Sequence, residues 1–140
     1  MSTNLTQGSH STDKESAVKK LVLFNKESDV KKLKIDNFNL KQAKLIDKDI
    51  LSISVFYTGG CKKHDFVLGT VPGFGTTNSS HEVDLVLAHR NNGDVCKKIV
   101  AESLHFDLSP LKERYKEIYG QKFGRMTLRL MNTALEYEFK

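Results

Sequence analysis

The segment Leu51-Ser52-Ile53-Ser54-Val55-Phe56-Tyr57-Thr58-Gly59-Gly60 decides the fold. Leu51, Ile53, Val55 and Tyr57 alternate with Ser52, Ser54 and Phe56, the period of a strand with one buried face, and Gly59-Gly60 ends it. Downstream the same period recurs. Phe66 and Leu68 share a face within His64–Thr70, and Val83, Leu85 and Leu87 alternate with Glu82, Asp84 and Val86 over His81–Arg90. Met126, Leu128 and Leu130 alternate with Arg125, Thr127 and Arg129 before a last strand around Leu135–Phe139. Asn91-Asn92-Gly93-Asp94 reads as a hairpin turn, because Asn and Gly tolerate left-handed backbone, and the strand after it carries Val100, Leu104 and Phe106 on one face. Pro72, Gly73 and Gly75 with Thr76–Ser80 mark a loop.

One helix interrupts this β pattern. Ser109 is placed as its N-cap, Pro110 as its first residue and Gly120 as its stop, with Leu111, Tyr115, Ile118 and Tyr119 forming one apolar stripe. Phe106, Leu108 and Leu111 cluster at its start as a structural staple. Upstream of Leu51 the reading is less regular: Leu21–Phe24, Leu33–Phe38 and Ala43–Ile46 read as short strands, with a short helix beginning at Val18–Leu21 as the alternative. The expected fold is mainly β, an antiparallel sandwich or barrel with one late helix over Pro110–Tyr119. Residues Met1–Ser16 (MSTNLTQGSHSTDKES) are expected to be a disordered polar tether ahead of a single domain over 17–140.

Composition sets the outer bounds. A chain of 140 residues that is 39% hydrophobic and 28% charged has room for one core and excludes collagen-like, wholly disordered and multidomain organisation. No apolar run approaches the roughly 18 residues of a membrane-spanning helix, so no transmembrane segment is expected. Lys and Arg number 22 against 17 Asp and Glu, a formal charge of +5. The bases fall in pairs (Lys19–Lys20, Lys31–Lys32, Lys62–Lys63, Lys97–Lys98) separated by acids and without stacking aromatics, the pattern of a solvated face, so nucleic acid is not expected as a partner. The glycine-rich nucleotide loops, the H-E-x-x-H zinc motif and the EF-hand loop are all missing from the sequence.

Chemistry-bearing residues gather in two segments. Cys61-Lys62-Lys63-His64 follows the first strong strand, and His89-Arg90-Asn91-Asn92-Gly93-Asp94-Val95-Cys96 spans the Asn-Gly turn. His64 has the parity of Phe66 and Leu68, and His89 that of Val83, Leu85 and Leu87, so both imidazoles are expected on the buried face at strand ends. Three readings stay open. Cys61, His64, His89 and Cys96 form a Cys2His2 set suited to zinc; or Cys61 and Cys96 form a disulfide, with His64 and His89 hydrogen-bonded at the rim of the core; or the thiols are unrelated. Cys61 with His64 is the one nucleophile–base pair in view, but no oxyanion donors or orienting acid go with it, so no catalytic residue is assigned and no enzyme is expected. His81 and His105 are expected on the surface, and His10 lies in the tether.

The motifs GGCKKHDF (Gly59–Phe66), HRNNGDVC (His89–Cys96) and LHFDLSPLKERYKEIYG (Leu104–Gly120) resemble those of a group of small, uncharacterised bacterial proteins, many of them exported proteins or lipoproteins. The resemblance implies a bacterial source, an all-β domain with one helix, and pairing of Cys61 with Cys96 in an oxidising compartment. It implies no activity. Met1–Ser16 lacks the apolar stretch of a secretory signal, so the expected location is the envelope or the exterior if that segment is the stalk of a trimmed lipoprotein, with membrane attachment only through a lost lipid anchor, and the cytoplasm if Met1 is the natural start. The function expected is a non-enzymatic envelope domain binding a partner or small ligand. Zinc binding through the Cys2His2 set, structural or metal-handling, is the alternative.

Overall fold

The computed structural model describes residues 13–73, 75–77 and 80–140. In chain order its elements are β1 (Asp13–Lys20), β2 (Val22–Leu23), α1 (Glu27–Lys31), β3 (Asn39–Leu45), β4 (Ile50–Gly59), β5 (Asp65–Thr70), β6 (Gly75–Thr77), β7 (Ser80–Arg90), β8 (Lys98–Asp107), α2 (Ser109–Tyr119), β9 (Gly124–Leu130) and β10 (Thr133–Phe139). They build two sheets. Sheet I runs β10-β9-β7-β5-β2 with β6 also on β7, and sheet II runs β1-β8-β4-β3.

The alternation in the sequence becomes the core between these sheets. Leu51, Ile53, Val55 and Tyr57 of β4 and Val100, Leu104 and Phe106 of β8 face Phe66 and Leu68 of β5, Val83, Leu85 and Leu87 of β7, and Met126, Leu128 and Leu130 of β9. Every one of these side chains is buried. The long antiparallel pair of β4 with β8, from Ile50 opposite Asp107 to Gly59 opposite Lys98, forms the middle of sheet II. The chain is thus a mostly β, sandwich-like fold with open sheets, as expected.

Its pairings are not all antiparallel as expected, because long connections bring distant strands alongside in the same direction. β1 lies parallel to β8, β2 parallel to β5, and β9 parallel to β7, each joining segments far apart in sequence. The Asn91–Asp94 turn is not a hairpin: β7 belongs to sheet I and β8 to sheet II, so the turn carries the chain across the sandwich. The link from β4 to β5 is a second such crossing. A turn sequence fixes a local backbone bend, and which sheet the next strand joins is decided by its apolar face.

The amino-terminal third departs most from the periodic reading. Val18–Leu21 does not open a helix; Val18–Lys20 lie in β1, and residues 13–16 of the expected tether belong to that strand too, while residues 1–12 of the tether, His10 among them, lie outside the described residues. The short helix sits at Glu27–Lys31 instead, and it buries only Val30. Leu33–Phe38 is no strand; it joins sheet I by an isolated bridge of Ile35 with His89 and packs Phe38 on Phe66 and His89. Two-turn segments of this size leave too few residues for periodicity to separate helix from strand. The loop expected at Pro72–Ser80 holds the three residues of β6, and Phe74, Asn78 and Ser79 lie outside the described residues.

Helix α2 lies where expected, with its boundary moved by one residue. Leu108 occupies the cap position without a side-chain bond, and the Asp107 carboxylate accepts from the Ser109 backbone N–H at 2.9 Å. Gly120, with φ 65°, closes the helix in the left-handed region. Only Leu111 and Tyr115 of the stripe are buried; Ile118 and Tyr119, at the far end of α2, are exposed. Asp49 fastens this helix to both sheets. Its carboxylate accepts from Lys112 Nζ and Tyr137 Oη, each at 2.6 Å, and its carbonyl accepts from the Leu108 N–H at 2.7 Å. Burial raises the Asp49 pKa, but the bonds from Lys112 and Tyr137 outweigh it and leave the carboxyl below its usual range.

Replacing Leu85 or Val55 by alanine removes methyl groups from the closed core, so each variant is expected to lose on the order of 2–4 kcal/mol in urea denaturation. An unchanged midpoint in both would mean the strand register is wrong.

Candidate functional site

The two crossings lie side by side at one end of the sandwich, and one side chain holds them there. Asp94, in the second crossing, turns its carboxylate into the first: Oδ2 accepts from the backbone N–H groups of Gly60, Cys61 and Lys62 at 3.0, 3.2 and 3.1 Å. Its other oxygen accepts from the Cys96 N–H at 3.1 Å. The backbone is shaped to present these donors. Gly60 has φ 109°, and Asn92 and Gly93 take φ 57° and 75°, values that glycine and asparagine tolerate. Gly59 is needed for a different reason: a Cβ there would lie 2.6 Å from Asp94 Oδ2 and 2.7 Å from His64 Nε2.

Cys61 and Cys96 are bonded in a disulfide across these crossings, with Cα atoms 5.8 Å apart. Both cysteines are therefore committed, and the Cys61–His64 nucleophile pair considered from the sequence is not present in this form. Asn92 adds a further tie, donating from its amide to the Lys63 carbonyl at 2.8 Å and to Asp65 at 2.9 Å.

The histidines face inward, as strand parity predicts. His64 Nε2 lies 2.8 Å from Asp94 Oδ2, His64 Nδ1 lies 2.8 Å from His89 Nε2, and His89 Nδ1 lies 2.9 Å from the Asp36 carbonyl. The rings are stacked among aromatics, with Tyr57 over His64 at 4.2 Å and Phe66 over His89 at 4.5 Å between centroids. Side chains of both His64 and Asp94 are wholly closed to solvent. The Asp36 segment reaches this end because Asp36 N–H donates to the His89 carbonyl at 2.8 Å and His89 N–H to the Lys34 carbonyl at 3.1 Å.

Hydrogen-bond valence fixes the protons in this line. The Asp94 carboxylate and the Asp36 carbonyl can only accept, so His64 Nε2 and His89 Nδ1 are the donors at the two ends of the line. Burial pushes the His89 pKa down, which favours its neutral ring, with the proton on Nδ1 toward Asp36. Burial pulls the Asp94 pKa up, but the bond to His64 and those from the Cys96, Lys62 and Cys61 N–H groups prevail and hold its carboxyl well below the usual range. Tyr57 stays a phenol, since burial and the 2.6 Å bond it donates to Glu102 push its pKa up.

All four expected ligands, Cys61, His64, His89 and Cys96, are thus brought to one end of the fold, but their donor atoms are not aimed at one point. The sulfurs bond each other, and the imidazole nitrogens are taken by Asp94, by one another and by Asp36. Among the described residues, the group whose ligand atoms do converge, within 4.8 Å of one another, is Cys61, Asp94 and Cys96. Asp94 was readable in the sequence only as a turn residue. His81 and His105 are half-buried rather than on the surface, and the His81 ring packs on Tyr115 and Tyr119 with centroids 5.3 and 4.6 Å away.

No family model matches the chain, and no curated protein matches it in sequence. Solved structures share its fold. It is similar to a NigD-like immunity protein from Bacteroides caccae with a TM-score of 0.59 at 18% identity, covering 88% of this chain and 58% of that one. It is also similar to a toxin-related protein from Parabacteroides distasonis, TM-score 0.52 at 16% identity over 87% of this chain and 59% of that one. A lipoprotein from Bacteroides fragilis gives a TM-score of 0.51 at 10% identity, over 88% and 71% of the two chains. The chain spans less than two thirds of the length of the first two, and at such identities the likeness is one of fold. These bacterial neighbours, a lipoprotein among them, accord with the group whose motifs the sequence resembles.

Intact mass of the denatured protein is expected about 2 Da below that of the reduced chain. Replacing both cysteines by serine opens a link spanning 35 residues. A loss of about 2–4 kcal/mol is expected in denaturant titration.

Acid is expected to weaken the fold in two stages. For both His89 and Asp94 the folded pKa lies below the unfolded one, so the folded chain resists protonation and stability falls as pH falls. The first decline begins below about 6.5, where an ordinary histidine charges, and the second below about 4, where an ordinary aspartate does. Asp94→Asn should flatten the second stage, and a profile identical to that of the unsubstituted protein would contradict the Asp94 contacts.

Proposed function

We propose that the chain is a non-enzymatic, β-rich domain of the bacterial cell envelope, carried on its polar amino-terminal tether, that works by binding a partner protein. The observation that carries this reading is the closure of the chemistry-bearing end. A general base or nucleophile must reach its substrate, whereas His64 and Asp94 are sealed from solvent and bound to one another, and the sulfurs are joined. The end is built for rigidity.

The disulfide supports an oxidising location, where such bonds form and persist. A lipoprotein among the fold neighbours agrees with it, and the immunity and toxin-related descriptions of two others suit a domain that acts through another protein rather than on a small substrate. No helix among the described residues is long and apolar enough to cross a membrane.

Alkylation of intact cells of the producing bacterium, before lysis, is expected to find Cys61 and Cys96 blocked; free thiols there would remove the envelope assignment. In parallel, the oxidised protein should show no turnover on ester, phosphate, peptide and glycoside panels. Turnover that disappears in His64→Asn would overturn the non-enzymatic reading.

A further inference from the structure

We infer that reduction of the Cys61–Cys96 disulfide converts this end of the sandwich into a zinc site whose protein ligands are the two thiolates and the Asp94 carboxylate. The ligand atoms of the three residues already lie within 4.8 Å of one another. Zinc held by two thiolates at about 2.3 Å sets the sulfurs about 3.8 Å apart, with a carboxylate oxygen at about 2.0–2.2 Å from the metal. Side-chain rotation alone covers that adjustment, because Cα atoms 5.8 Å apart leave the two sulfurs free to separate.

Breaking the disulfide does not disperse the ligands. The clamp between the crossings is made by Asp94 on the N–H groups of Gly60, Cys61, Lys62 and Cys96, and by Asn92 on the Lys63 carbonyl, none of which involves sulfur. The thiols therefore stay adjacent, which removes much of the ordering cost a metal otherwise meets in a flexible chain. Asp94, rather than either imidazole, is the third ligand through Oδ1, which holds a single bond, from the Cys96 N–H, while Oδ2 keeps its contacts with Gly60, Cys61, Lys62 and His64. His64 Nε2 is directed at Asp94 itself, and both His89 nitrogens are occupied at 2.8 and 2.9 Å, so His64 serves as the proton-bearing group that orients the ligating carboxylate from behind.

Access and balance fit the same picture. Cys61 is exposed and Cys96 partly so, which lets a dithiol reductant attack the Cys61 sulfur. The dithiol is oxidised to its own disulfide, and two electrons and two protons pass to the chain as two thiols. Zinc then displaces the two thiol protons. Water entering past the exposed Cys61 would fill the fourth coordination position. The resulting centre carries one net negative charge, offset by Lys62, Lys63, Lys97 and Lys98, all exposed around it.

The test uses the full chain, reduced with a dithiol, desalted without oxygen and titrated with zinc against a chromophoric chelator. One zinc per reduced chain is expected, with none in the oxidised chain and none in the Cys61→Ser, Cys96→Ser variant. Asp94→Asn should weaken binding tenfold or more. X-ray absorption of the zinc-loaded, unsubstituted protein gives a readout that does not depend on whether Asp94→Asn folds: two sulfur and two oxygen neighbours are expected, without the outer-shell scattering of imidazole. Absence of zinc binding by the reduced chain overturns the inference, as does an imidazole signature, which would restore the Cys2His2 set. The outcome is independent of whether the oxidised domain binds a partner.

Discussion

Asp94 is a turn residue whose carboxylate completes a different turn. Three consecutive N–H groups after Gly59 point toward the interior with no strand to receive them, and an aspartate from 34 residues away in the chain accepts them. An unpaired buried N–H is costly and a charged acceptor satisfies several at once. The rest of that end follows. With the two crossings fixed against each other, Cys61 and Cys96 fall within bonding reach, His64 is drawn to the carboxylate, and His89 to His64. Gly59 answers to the same constraint, since any larger residue would strike both Asp94 and His64.

This arrangement explains why two histidines lie in an apolar core. A buried charge survives when it is paired and fully hydrogen-bonded. His64 Nε2 meets the Asp94 carboxylate, His89 Nδ1 reaches the Asp36 carbonyl, and Tyr57, Phe66 and Phe38 enclose the rings. The polar line therefore selects one alignment of the sheets. Tyr57 and Phe66 come from opposite sheets, and they can both stack on the imidazoles only when the sandwich closes in register.

Much of this was legible in the sequence, and the boundary has physical causes. The strict alternation in Leu51–Tyr57, Val83–Leu87 and Met126–Leu130 gave strands and inward faces correctly, including the burial of His64 and His89, because side-chain direction follows from the two-residue period alone. Strand partners were beyond it. The Asn-Gly turn looked like a hairpin, but a bend of that shape serves equally to move the chain from one sheet to the other, and nothing local distinguishes the two. Asp94 escaped for a related reason: an aspartate beside Asn-Gly is an ordinary turn residue until the backbone it reaches is known. The Cys and His residues were recognised as a group from spacing, while their division into a disulfide and a proton line required the geometry.

The strand order has a consequence for how the chain acquires its shape. β1 waits for β8, β2 for β5, and β7 for β9, so neither sheet is complete until most of the polypeptide has been made. Contacts between such distant segments must overcome a large loop-closure entropy before they stabilise anything, and chains dominated by them fold slowly. During synthesis β1 and β2 stay without their sheet neighbours until β8 and β5 have been made. The two cysteines, 35 residues apart, lie on either side of the stretch that holds β5, β6 and β7.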